Sequence, residues 1–122
     1  MSGIRRVAGA ILAVADQDRM LDFFGRLGFE TVTDAEMWPG ARWVEVRPPG
    51  AETSVVLSAA KDFGRDPDQG YPMTFATDDV AAFAAEARAA GVEVSEPTTE
   101  GWGTFVNVTD PEGRQLLVAE RT

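Results

Sequence analysis

A general acid or base in this chain has to be a carboxylate, a lysine or a tyrosine, because its 122 residues include neither histidine nor cysteine. That absence removes the usual proton shuttle, the commonest metal ligand, the thiolate nucleophile, disulfides, zinc ribbons and iron–sulfur clusters together. What remains is 20 Asp and Glu, 11 Lys and Arg, hydroxyls and a single tyrosine, Tyr71. Among the carboxylates, Glu45 has the most suggestive setting. It sits in Trp43-Val44-Glu45-Val46, where strand periodicity puts Trp43 and Glu45 on one face and the valines on the other. A helix layer accepts valines and rejects a bare carboxylate, so Trp43 and Glu45 are expected to look into a cleft. Glu45 would serve as a general acid or base on a small carbonyl compound only if its pKa were raised toward neutrality. Desolvation acts in that direction, and Arg47 acts against it.

The net charge of -9 repels nucleic acid and anionic membrane surfaces and attracts cations, although acidity also serves solubility. No apolar run approaches the roughly 20 residues needed to span a bilayer. The start, Met1 to Arg6, leads into a strand-like stretch rather than a signal peptide, so a cytoplasmic location is expected. The length and the 44% hydrophobic content suit one domain with a real core.

The elements that must position these side chains repeat. Val7 to Val14 reads as a buried strand, and Asp16 as the N-cap of a helix. The apolar stripe of that helix is Met20, Phe23, Phe24 and Leu27, closed by Gly28. Phe29 to Thr33 should be the next strand. Arg42 to Arg47, the Pro48-Pro49-Gly50 turn and Thr53 to Leu57 read as a hairpin. The unit is βαβββ. The segment from Trp38 to Arg42, with Pro39 and Gly40 inside it, is open to two readings, a lid or a plain turn.

After a polar stretch the pattern restarts with a strand at Met73 to Thr77, aspartates 78 and 79, and a helix whose stripe is Val80, Phe83, Ala84 and Ala87. Asp16 and Asp79, Met20 and Phe83, Gly28 and Gly91, and Glu30 and Glu93 each stand 63 positions apart. The second half ends in another hairpin, Thr104 to Val108, the Asp110-Pro111-Glu112-Gly113 turn, and Arg114 to Glu120. A fixed offset through cap, stripe and glycine marks an internal duplication, with repeats at about 5–60 and 71–122 of one domain spanning 1–122. Two such units paired about a pseudo-twofold would leave a cleft between them, the natural place for a ligand.

The segments Val14-Ala15-Asp16, Phe23-Phe24, Leu27-Gly28-Phe29-Glu30, Trp102-Gly103 and Asp110-Pro111-Glu112-Gly113, with the ending at Glu120, resemble the vicinal oxygen chelate superfamily. That superfamily groups glyoxalases, bleomycin-resistance proteins and dioxygenases. The resemblance implies an α+β fold of two βαβββ modules forming an open, barrel-like cleft, commonly in a homodimer. In the metal-using members it also implies one ligand from each of four strands. Those positions fall on Gly9, Leu57, Pro72 and Leu117, whose side chains donate no lone pair. Slipping each by one residue assembles no divalent site either. No metal and no cofactor are therefore expected.

The metal-free, bleomycin-resistance-like branch is the nearest in type, in which a cleft sequesters a cationic or aromatic compound. Trp38, Trp43, Trp102 and Phe105 would wall such a site, with Leu57 and Leu117 at its centre. Glu45, Asp34, Glu36 and Glu100 would supply its charge. Trp102 lies in a loop between two glycines, where it either contacts ligand or merely covers the mouth. Three functions stay open: a metal-independent small-molecule binding protein, a metal-free enzyme using Glu45, and an oligomeric or partner-binding domain whose cleft its own side chains fill.

Overall fold

A computed structural model describes residues 3–121. The chain divides into two compact units, residues 1–67 and 68–122. In the first, strand β1 (Gly9–Val14) leads to helix α1 (Gln17–Arg26), then β2 (Glu30–Trp38), β3 (Ala41–Arg47), β4 (Ser54–Ala59) and a 3₁₀ turn at Ala60–Phe63. The strands form one sheet in the order β1-β4-β3-β2, with β1 parallel to β4 and the other pairs antiparallel.

Helix α1 begins where Asp16 accepts a hydrogen bond from the backbone N–H of Arg19 at 3.0 Å, a cap worth about 1 kcal/mol. It ends at Gly28, whose φ of +88° continues the chain in a region that a side chain would oppose. Met20, Phe23 and Phe24 are buried along its inner face, and the ring of Phe24 packs on Phe29 with centroids 4.9 Å apart. Leu27 completes the stripe only in part, being half-buried. Gln17 ties the start of the helix to the sheet, its amide donating to the carbonyls of Arg42 (2.9 Å) and Leu57 (2.8 Å).

Strand β2 runs five residues past the expected Thr33. Its polar sequence hides a strand whose outward positions carry cross-strand ion pairs, Glu30 with Arg47 (2.8 Å) and Asp34 with Arg42 (2.6 Å). As a result Trp38 pairs with Ala41, and Pro39-Gly40 is a two-residue turn, with Gly40 at φ +88°. The lid reading of this segment is therefore corrected to a turn.

The second unit repeats the sequence of elements with shorter pieces. Strand β5 (Phe75–Ala76) is followed by helix α2 (Val80–Ala89), β6 (Glu93–Val94), β7 (Thr98–Glu100), β8 (Gly103–Thr109) and β9 (Gln115–Arg121). The order is β5-β9-β8-β6, with β7 also on β8. Together β6 and β7 line β8 as β2 lines β3. Between them Ser95 bridges the gap, its N–H donating to the carbonyl of Asn107 and its Oγ accepting from the Asn107 N–H, both at 2.9 Å. Asp79 caps α2 through the N–H of Ala82 at 3.0 Å. Glu120 takes the N–H of Val80 at 2.9 Å, so this carboxylate belongs to the helix layer. Val80, Ala84 and Ala87 are buried, while Phe83 is half-buried.

Strands β3 and β8 share one burial pattern residue for residue. In each, two valines are buried against the helix, Val44 and Val46 in β3 and Val106 and Val108 in β8. The other face carries Trp43 and Glu45 in β3, Phe105 and Asn107 in β8. The fold is mixed α+β with two separate small sheets.

Candidate functional site

Each unit holds a pocket on the sheet face turned away from its helix. In the first unit, Ala8, Gly9, Ile11, Trp43, Glu45 and Val56 enclose about 210 Å³. The register explains the set: Ile11 stands beside Val56 in the parallel pair, and Val56 opposite Glu45 in the antiparallel one. Trp43 and Glu45 thus share the pocket face, opposite the valines.

Glu45 is held at both oxygens. The indole N–H of Trp43 donates to Oε1 at 2.9 Å, and the hydroxyl of Ser54 donates to Oε2. The Ser54 and Trp43 hydrogen bonds, in that order, hold the carboxyl below its ordinary pKa against the opposing effect of burial, with Arg47 and Arg6 adding to the lowering. Gly9 stands beside Ser54 in the sheet, and a Cβ there would come within 3.3 Å of both the Ser54 carbonyl and its Oγ. Glycine at this position leaves the Ser54–Glu45 corner uncrowded.

The general acid or base role for Glu45 needed a raised pKa, and the direction found is the opposite. A carboxylate stabilised as the anion is a poor proton donor and a weak base near neutrality.

In the second unit, Thr74, Phe75, Ala76, Trp102, Leu117 and Ala119 enclose about 330 Å³. Trp102 occupies the tight turn between β7 and β8 and is 48% exposed. Its ring stacks on Phe105, with centroids 5.5 Å apart and planes 11° from parallel. One indole face is thus backed by an aromatic neighbour. The lining contains no ionisable side chain.

The expected site residues therefore distribute unevenly. Trp43 and Glu45 line the first pocket, Trp102 and Leu117 the second, and Phe105 backs Trp102. Leu57 needs correction: it is fully buried beside Leu12 on the helix side of β4, and Val56 takes the pocket position. Trp38 lines neither of these pockets; it meets Phe63 edge-on, with centroids 6.0 Å apart. Asp34 is committed to Arg42, whose two hydrogen bonds to it lower its pKa. Glu36 and Glu100 line neither pocket.

Sequence reasoning passed over Ser54, Ile11 and Val56 in the first unit and Thr74, Phe75, Ala76 and Ala119 in the second. Strand parity from Gly9 would have reached Ile11, but Ser54 becomes visible only once β3 and β4 are in register.

The four positions that the resemblance assigns to metal ligands carry no side-chain donor. Gly9 is in the first pocket without a side chain, Leu57 is turned into the core, Pro72 is exposed ahead of β5, and Leu117 is apolar. Among the described residues, no group of three or more Asp or Glu converges as a metal site would require. Among the same residues, no helix is long and apolar enough to cross a membrane.

Comparison with known proteins agrees with this architecture. The model of the Glyoxalase/Bleomycin resistance protein/Dioxygenase superfamily matches residues 3–117. The Bacillus subtilis (strain 168) protein YetH, itself described as uncharacterized, is 30% identical over 119 residues, covering 96% of this chain and 99% of its own. A superfamily member from Sphaerobacter thermophilus DSM 20745 superimposes with a TM-score of 0.87 at 32% identity, over 97% of this chain and 98% of that one. TnmS3, an antibiotic binding protein from Streptomyces sp. CB03234, superimposes with a TM-score of 0.86 at 29% identity over the full length of both chains. The chain belongs to the glyoxalase/bleomycin resistance protein/dioxygenase superfamily.

Proposed function

We propose that this protein is a metal-independent small-molecule binding protein that sequesters a planar aromatic or cationic compound. The observation that carries the reading is the Trp102 ring, half exposed, stacked on Phe105 and facing an apolar pocket of about 330 Å³. A tryptophan face held flat at a pocket wall is a platform for another flat ring, and such stacking contributes about 0.5–1.5 kcal/mol beyond area burial. The pocket volume is at the lower end of the range for drug-sized ligands, about 300–1,000 Å³.

Three further points support it. The positions that the resemblance assigns to metal ligands carry no side-chain donors, the lowered pKa of Glu45 speaks against proton transfer, and the likeness to an antibiotic binding protein extends over the whole chain. We take the protein to act in the cytoplasm as a homodimer, which sedimentation analysis would test.

The functional test is resistance. Expression in a sensitive bacterium should raise tolerance to a planar aromatic antibiotic, and the compound should be recovered chemically unchanged from the purified complex. Recovery of a modified product would point to catalysis instead.

A further inference from the structure

The two pockets differ in one chemical respect. The second has no ionisable lining residue, whereas the first has a carboxylate. At the strand position of Glu45, β8 carries the uncharged Asn107, which does not line the second pocket. We propose that the first unit carries a ligand site of its own, selective for a protonated nitrogen attached to a single flat ring, with Glu45 as the counter-ion and Trp43 as the ring's wall. This rests on the reading of the protein as a small-molecule binder but uses a different pocket from the one that carries that reading.

The carboxylate is built for the task. Each oxygen accepts one hydrogen bond from within the protein, from Trp43 and from Ser54, which fixes the group and leaves about half of its four lone-pair sites for a ligand. The arginines whose charge reaches it are engaged elsewhere. Arg47 pairs with Glu30 at 2.8 Å, and Arg6 donates to the Glu52 carbonyl at 2.6 Å. Apolar contact is available from Ile11, 56% exposed, and from Val56. The missing side chain at Gly9 keeps the approach to Ser54 and Glu45 open. A volume of about 210 Å³ is below that of a drug-sized site, which limits the occupant to one ring and its charged group. The net charge of -9 adds long-range attraction for a cation.

The test compares benzamidinium with benzamide, which has nearly the same shape and no charge, following the indole N–H resonances of the intact ¹⁵N-labelled protein. Benzamidinium is expected to shift the Trp43 indole signal saturably and benzamide to leave it in place. Glu45→Gln should weaken benzamidinium binding at least tenfold. Ile11→Lys, at an exposed position, places a competing ammonium in the pocket and should have the same effect, which keeps the test decisive if the first variant misfolds. Equal binding of benzamide, or undiminished benzamidinium binding in either folded variant, would overturn the proposal. Titration of the same sample with acridone, a neutral tricycle, reports at the Trp102 indole on the second pocket. A Trp102 response without a Trp43 response to benzamidinium overturns this inference and leaves the proposed function standing.

Discussion

The indole nitrogen of Trp43 lies 2.9 Å from Oε1 of Glu45, two residues further along the same strand. This contact and the Ser54 hydroxyl on the other oxygen convert a partly buried carboxylate from a liability into a fixed anion on a pocket wall. Removing a donor from a buried acceptor costs more than the bond itself contributes. Both the stability and the ligand preference of the first unit are therefore sensitive to the same three residues.

That anion makes stability depend on pH in a definite direction. The folded pKa of Glu45 lies below its ordinary value of 4.5, so its contribution is fully present above 4.5 and is lost as pH falls through the folded value. Glu45→Gln should destabilise the protein at pH 7, and the difference from wild type should shrink as the pH is lowered below 4.5. Denaturant midpoints of the two proteins across that range measure it. A difference independent of pH would rule the electrostatic account out.

Ser54→Ala removes the largest cause of the lowered Glu45 pKa. The carboxyl should titrate at higher pH than in wild type, read from its ¹³C chemical shift, and stability should fall by about 1.5–3 kcal/mol, the range for hydrogen bonds to charged groups. An unmoved titration would show that Trp43 suffices to hold the anion.

In the second unit the structural counterpart is a buried network at the β8–β9 turn. Asp110 and Arg114, each 4% exposed, pair at 3.1 Å. Tyr71 donates its hydroxyl to Asp110 at 2.8 Å, and Arg114 also reaches Glu112 at 2.8 Å and the Asp68 carbonyl at 2.6 Å. Burial, then the hydrogen bond to Asp110, pushes the Tyr71 pKa far up, so it remains a neutral donor. Asp110→Ala leaves a buried guanidinium short of its partner and should cost about 3–5 kcal/mol. Tyr71→Phe should cost only about 1 kcal/mol. Equal losses in chemical denaturation would contradict this ranking.

The helix starts give a matched pair of smaller effects. Asp16→Ala and Asp79→Ala each remove one capping acceptor and should cost about 1 kcal/mol apiece. Because Glu120 also serves the start of α2, the loss at Asp79 should be the smaller, which thermal denaturation of both variants would show.

The parts of this fold that were legible in the sequence are those fixed by local chemistry. Asp16 and Asp79 announce helix starts, Gly28 and Gly91 helix stops at φ +88° and +83°, and Trp43-Val44-Glu45-Val46 the face of a strand. The parts that were not legible depend on long-range pairing. Val55-Val56-Leu57 is apolar throughout because β4 is a central strand buried on both faces, so nothing in that run distinguishes the pocket residue Val56 from the core residue Leu57. The run from Asp34 to Glu36 carries no strand signal until Arg42 is known to lie opposite. Ser54 was silent for the same reason: its role exists only across the sheet, nine residues from Glu45.

The proposed function requires binding at the Trp102–Phe105 platform without a metal. Calorimetric titration of chelator-treated protein against a panel of planar aromatic compounds tests it most directly. Micromolar or tighter binding of at least one compound is expected, unchanged by chelation and weakened at least tenfold, about 1.4 kcal/mol, in Trp102→Ala. Absence of any binding tighter than millimolar, or binding that chelation abolishes, would contradict it.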